Sequence, residues 1–188
     1  LRWLNVLNSS TKHTFGRMLV FDLETDGLLN DVTKIHCLVI YDSETDTYLH
    51  YNDEGNSEPI VRGIQRLEDA DVIVGHNIIS YDIPVIKKIY PWFNPEALII
   101  DTLLLSRLYH TDMLEIDKKR NVDNMPPQLY GRHSLESYGH RLGEYKGEFG
   151  KTSDWKEWSP EMETYCAQDV KVTTKLCDHF HPYLSGLR

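Results

Sequence analysis

The sequence predicts an α/β fold: a mixed β-sheet with three antiparallel leading strands and helices packed against it. Three observations carry this expectation. An apolar strand at residues 18–25 is followed by two more β-rich segments separated by turn-like stretches, short apolar strands then alternate with segments of helical period, and the last helical segment carries a full set of start signals. The chain, at 188 residues and 21.9 kDa, has the size of one domain that buries its own core.

Residues 18–27 read Met-Leu-Val-Phe-Asp-Leu-Glu-Thr-Asp-Gly. Side chains alternate along a strand, so Leu19, Phe21 and Leu23 share one face while Val20, Asp22 and Glu24 share the other. On a central strand, covered on both faces, two neighbouring carboxylates would be pushed towards protonation, and a cation is expected near them. The competing reading is a strand end that emerges into solvent before the Asp26-Gly27 turn. This stretch alone leaves the two even.

Residues 33–41 are rich in β-branched and apolar types, 42–46 are turn-like and 47–51 alternate, which makes an antiparallel meander. Residues 57–69 read as a helix with Ser57 or Glu58 as cap, Pro59 near the first position and Ile60, Ile64 and Leu67 on one stripe. A short buried strand at 71–75 leads directly into His76 and Asn77. Ser80 is the expected cap of the next helix, whose stripe is Ile83, Ile86 and Ile89 or Tyr90, and which tolerates Pro84 because it lies in the first turn. Asp82 therefore opens a helix just past the carboxyl end of a strand, where open α/β sheets place their sites. Taken alone, Asp82 is better accounted for as complementing the helix dipole.

After a strand at 98–100, Asp101 is read as the cap of a helix through Leu103, Leu104 and Leu108. Residues 110–130 lack a clear period and are expected to form a long surface excursion, with Lys118, Lys119 and Arg120 either solvated or touching a nucleic-acid strand. Ser134 caps a short helix through Leu135, Tyr138 and Leu142, closed by Gly143. In the loop that follows, Tyr145 and Lys146 suit a base face and a phosphate, while Trp155 and Trp158 suit either nucleic acid or the core. The last helix starts at Ser159 and Pro160 and runs through Met162, Cys166, Val170, Thr173, Leu176 and Phe180 to Pro182. Tyr165 and Asp169, four residues apart, project from one face of it. Asp169 is too deep in the helix for the dipole to explain, and a core-edge hydrogen bond is the alternative to a site.

The net charge of −9 argues against broad phosphate binding through Lys and Arg, although acid concentrated on metal ions still permits a grip at one point. Three cysteines without a Cys-x-x-Cys pair argue against a disulfide framework or a zinc site and point to a reducing, cytoplasmic compartment. No apolar run reaches membrane-spanning length, so a soluble protein without a membrane partner is expected. Residues 1–17 carry no acid and read as a poorly ordered or non-native N-terminal arm, with an organellar transit segment as the minor alternative, leaving 18–188 as the domain.

Asp-x-Glu on the first strand, Asn-x-x-x-Tyr-Asp opening a mid-chain helix and Tyr-x-x-x-Asp on a late helix together resemble the DEDDy 3′-to-5′ exonucleases. The resemblance runs over nearly the whole chain and is nearest to the proofreading domains of bacteriophage family A DNA polymerases. Thr33-Lys34-Ile35-His36-Cys37, Gly75-His76-Asn77, Asp101-Thr102-Leu103-Leu104-Leu105-Ser106-Arg107-Leu108 and Arg141-Leu142-Gly143-Glu144 extend it beyond the acids. It implies an RNase H-like (DnaQ-like exonuclease) fold. It further implies two divalent ions, Mg2+ or Mn2+, held by Asp22, Glu24, Asp82 and Asp169, with Asp22 bridging and Tyr165 orienting the attacking water. Thr25 and Leu28 match positions lining the terminal nucleotide, and Asn77 one that steadies the strand. The implied substrate is a single-stranded DNA 3′ end, and the implied partner is a polymerase domain in the same or another chain. An RNase D-like RNA-trimming enzyme shares the same acids, and an inactive binding module is a third reading.

Overall fold

The computed structural model describes residues 17–120, 122, 124–144 and 155–186. Its sheet has the order β3-β2-β1-β4-β5. The central strand, β1 (Met18–Thr25), pairs antiparallel with β2 (Ile35–Asp42), which pairs antiparallel with β3 (Thr47–Tyr51). On its other side β1 runs parallel to β4 (Val72–Gly75), and β4 parallel to β5 (Leu98–Asp101). The expected meander and mixed sheet are both present.

The alternation along β1 separates two apolar layers. Leu19, Phe21 and Leu23 pack with Ile60, Ile64 and Leu67 of α1 (Ile60–Glu68) and with Ile83, Val85 and Ile86 of α2 (Asp82–Ile89). Gly63 lets α1 lie close on the sheet, since a Cβ there would stand 2.6 Å from Leu38 Cδ2. On the opposite face Val20, Cys37, Val39 and Val74 meet Met162, Cys166 and Val170 of the last helix (Pro160–Leu184). The register places the site. The ladder between β1 and β4 ends at the pair Val20↔Val74, whereas β2 accompanies β1 as far as Thr25, so Asp22 and Glu24 lie on an overhang of the central strand.

Several local expectations are corrected. Pro59 occupies the cap position of α1, and the Asp53 carboxylate, not Ser57 or Glu58, accepts the Ile60 amide at 3.0 Å. Tyr81 precedes α2 without a side-chain cap, and Ser80 sits in the turn, its amide donating to the Asn77 carbonyl at 3.2 Å. After α3 (Thr102–Tyr109) the expected excursion contains a helix, α4 (Met113–Arg120), and a 3-10 turn at Pro127–Leu129. Asp117 of α4 is fully buried and accepts Arg141 Nε at 2.8 Å, Arg141 Nη2 at 2.7 Å and the Gly131 amide at 2.8 Å. Lys118, Lys119 and Arg120 form the exposed last turn of this helix, where Lys118 pairs with Glu115 at 3.0 Å.

The next helix, α5 (Leu135–Leu142), is capped by Ser134 and closed by Gly143 at φ 69° as expected. It packs with α4 on the last helix, α6, through Met113, Tyr138, Leu176 and Phe180. Beyond Pro182, α6 continues to Leu184. Trp155 and Trp158 pack partly against the β1–α6 layer, and the Trp155 carbonyl accepts from His36 Nε2 at 2.9 Å. Arg17, assigned from sequence to the arm, is tied to the domain by its guanidinium, 2.7 Å from the buried Asp42 carboxylate. The rest of the arm, with Tyr145 and Lys146, lies outside the described residues. Among the described residues no helix is long and apolar enough to cross a membrane.

Candidate active site

Asp22 and Glu24 are half-buried and face α6 from the overhang of β1. Ser159 starts α6 by accepting the Met162 amide at 3.2 Å, and Pro160 supplies the first helical position without needing a donor. Met162, Cys166 and Val170 then descend onto the sheet. Cys166 Sγ donates to the Asp22 carbonyl at 3.2 Å. That thiol and one carboxylate oxygen each from Asp22 and Glu24 lie within 4.8 Å of one another. Burial, with Cys37 and the two acids nearby, pushes the thiol well above its ordinary range. Cys166 thus packs between strand and helix. From sequence it was read only as part of the apolar stripe of the last helix.

Asp169 stands one turn beyond Cys166 and is buried. Tyr165, half-buried, presents its ring edge-on to Trp155 with centroids 6.1 Å apart. Asp82 is the first residue of α2 and is 4 % exposed. Its carboxyl is pushed up to about 7, first by burial and then by the charges of Asp101 and Asp169, against the opposing effect of its own amide and that of Leu23. Leu23 lies between Asp22 and Glu24, so Asp82 approaches the same stretch of β1. Asp82 and Asp169 feel each other's charge and lie outside the 4.8 Å group that Asp22 and Glu24 form with Cys166.

The donor set fits a hard divalent cation. The four acids offer only oxygen, and a dication beside them would offset the charges of Asp101 and Asp169 that add to the effect of burial on Asp82.

The three softer positions have different surroundings. The Thr25 hydroxyl donates to the Gly27 carbonyl at 2.9 Å or to the Tyr81 hydroxyl, which also reaches that carbonyl at 2.6 Å. Thr25 thus fixes a turn. Leu28, carried by that turn, is 75 % exposed. Asn77 sits at φ 68°, its amide donating to Asp101 Oδ1 at 2.9 Å. Asp101 is the predicted cap, accepting the Leu103 amide at 2.9 Å, but its bonds to the 77–79 turn were not expected.

A model of the RNase H superfamily matches residues 19–181. The chain is 33% identical over 183 residues to the DNA-directed DNA polymerase of Escherichia phage T7, and 33% identical over 184 residues to that of Enterobacteria phage T3. Each alignment covers 86% of this chain and 26% of the relative, so the chain spans about a quarter of their length. Among solved structures, Brucella melitensis NrnC matches with a TM-score of 0.61 and 16% identity, covering 93% of this chain and 78% of that one. A structure described as the apo form of the nuclease gives 0.62 at 19% identity, with 95% and 79% covered. These structural likenesses are of fold. With the superfamily match spanning β1 to α6 and the two polymerases related over most of the chain, it belongs to the RNase H superfamily.

Proposed function

We propose that the chain removes nucleotides from single-stranded DNA 3′ ends by two-metal-ion phosphodiester hydrolysis, as the proofreading domain of a phage-type DNA polymerase. The observation that supports it best is the approach of acids from three elements, β1, α2 and α6, to one overhang of the central strand. Asp22, Glu24, Asp82 and Asp169 would hold the two divalent ions. When bound, such a pair supplies an activated water and stabilises the leaving 3′ oxygen. The Tyr165 hydroxyl orients the water. Leu28 presses on the terminal base from the turn that Thr25 and Tyr81 hold, and Asn77 steadies the strand. The polymerase setting is supported by the two phage relatives, three quarters of whose length lies outside the match.

Digestion of 3′- and 5′-labelled oligonucleotides, with Mg2+ or with chelator, tests the proposal. Wild type should shorten DNA from the 3′ end only with metal, and the Asp22→Ala, Glu24→Ala double variant should lose more than about 100-fold in rate, above the usual effect of an outer-sphere change. Activity that survives chelator or the double substitution refutes the two-metal reading. Faster degradation of matched RNA transfers it to an RNA-trimming enzyme.

A further inference from the structure

We infer that Asp101 is a positioning residue for the site, its one buried carboxylate bracing the turn that carries Asn77 and delivers Asp82 to β1. The inference rests on the nuclease reading above.

Capping α3 requires a single acceptor, and Asp101 supplies it to the Leu103 amide at 2.9 Å. The same carboxylate accepts two amides from a distant segment, Asn77 at 2.9 Å through Oδ1 and Ile79 at 3.1 Å through Oδ2. Asp101 is 5 % exposed and lies opposite Gly75 in the parallel ladder, so it stands beside the carboxyl end of β4. The backbone there needs support. Asn77 adopts the left-handed conformation, φ 68°, which asparagine tolerates better than other non-glycine residues but which still turns the chain sharply here.

Thr102 completes the brace. Its hydroxyl donates to the Gly75 carbonyl at 3.1 Å, and because that uses its only hydrogen, His76 Nδ1 donates to it at 2.9 Å. Residues 75, 76, 77 and 79 are thus all tied to the 101–102 corner. From there the turn is passed on rigidly. The Ser80 and Tyr81 amides donate to the Asn77 carbonyl, both at 3.2 Å, and the Ile83 amide to the Ile78 carbonyl at 2.9 Å, which spans Asp82.

If capping were the whole role, serine would serve, as Ser134 and Ser159 do on α5 and α6. It would also avoid another acid beside Asp82. Only a carboxylate offers two oxygens for three amides, so the choice of Asp is explained by the turn.

Asp101→Ser keeps a cap and removes the hold on the turn, while Ser134→Ala removes a cap remote from the 77–79 turn. In Asp101→Ser, amide exchange at Asn77 and Ile79 should accelerate at least 10-fold with Leu103 still protected. kcat on single-stranded DNA should fall about 10- to 100-fold, the Mg2+ midpoint should rise, and KM should change little. Ser134→Ala should lower Tm and leave kcat and the Mg2+ midpoint unchanged. Should Asp101→Ser not fold, Asp101→Asn, which keeps one acceptor oxygen, takes its place with the same readouts. Wild-type kcat and Mg2+ midpoint, whether or not exchange accelerates, would overturn the inference and leave the nuclease reading standing. A wild type that digests DNA despite chelator overturns the reading itself.

Discussion

At the scale of single residues, Asp82 is a placement that opposes folding. Its proton affinity is raised in the fold, to about 7 against an ordinary 3.8, so the native chain holds a proton that the unfolded chain releases. Stability should therefore fall as pH rises across about 4 to 7. Asp82→Asn is expected to melt above wild type at pH 8 in chelator and to lose nuclease activity, which thermal melts and a digestion assay will check. Leu28 behaves differently. At 75 % exposure its truncation to Ala should change stability by less than about 0.5 kcal/mol yet slow digestion of single strands, and an unchanged rate would remove it from the site. The faces of β1 and α6 on which Asp22, Glu24, Tyr165 and Asp169 lie were legible in the sequence because strand and helix periods dictate them. Asp101 was legible only as a cap. Its other two partners lie 22 and 24 residues away, a proximity that sheet register creates and local pattern does not encode.

Among the elements, α4 shows where sequence reading ends. Only Met113 and Asp117 of its eight residues are buried, so there is no apolar stripe to find, and one of its two anchors is an acid. Strands β1 to β3, the capped start of α6 and the Gly143 stop of α5 were legible because each rests on chemistry within a few residues. Helix α4 is held instead by Arg141, 24 residues on. Both side chains of that pair are inaccessible, 3 % and 0 % exposed, so Asp117→Ala should cost about 3–5 kcal/mol by leaving a buried guanidinium without its partner. Burial alone would raise the Asp117 carboxyl, but Arg141 and the Gly131 amide outweigh it and hold it below its ordinary value. Its contribution is thus present above about pH 4 and lost as pH falls through the lowered value, which denaturant melts at pH 3 and pH 7 will register.

For the molecule as a whole, a formal charge of −9 must be reconciled with the proposed nucleic-acid substrate. The acids of the site account for part of it, and cations bound there would reverse the local field without changing the repulsion elsewhere. Binding of single-stranded DNA in chelator should therefore be weak and fall further with salt, which fluorescence anisotropy at two ionic strengths will measure. Tight binding without metal would point to a separate basic surface. The overhang of β1 has a further consequence. Past Val20 the central strand presents a sheet edge in the interior of a sheet, beyond the reach of the β4 ladder. Exposed edges invite strand addition and aggregation. On this one the Leu23 amide is taken up by the Asp82 carboxylate from a helix mouth, so the edge is capped by a side chain where a neighbouring strand would otherwise pair.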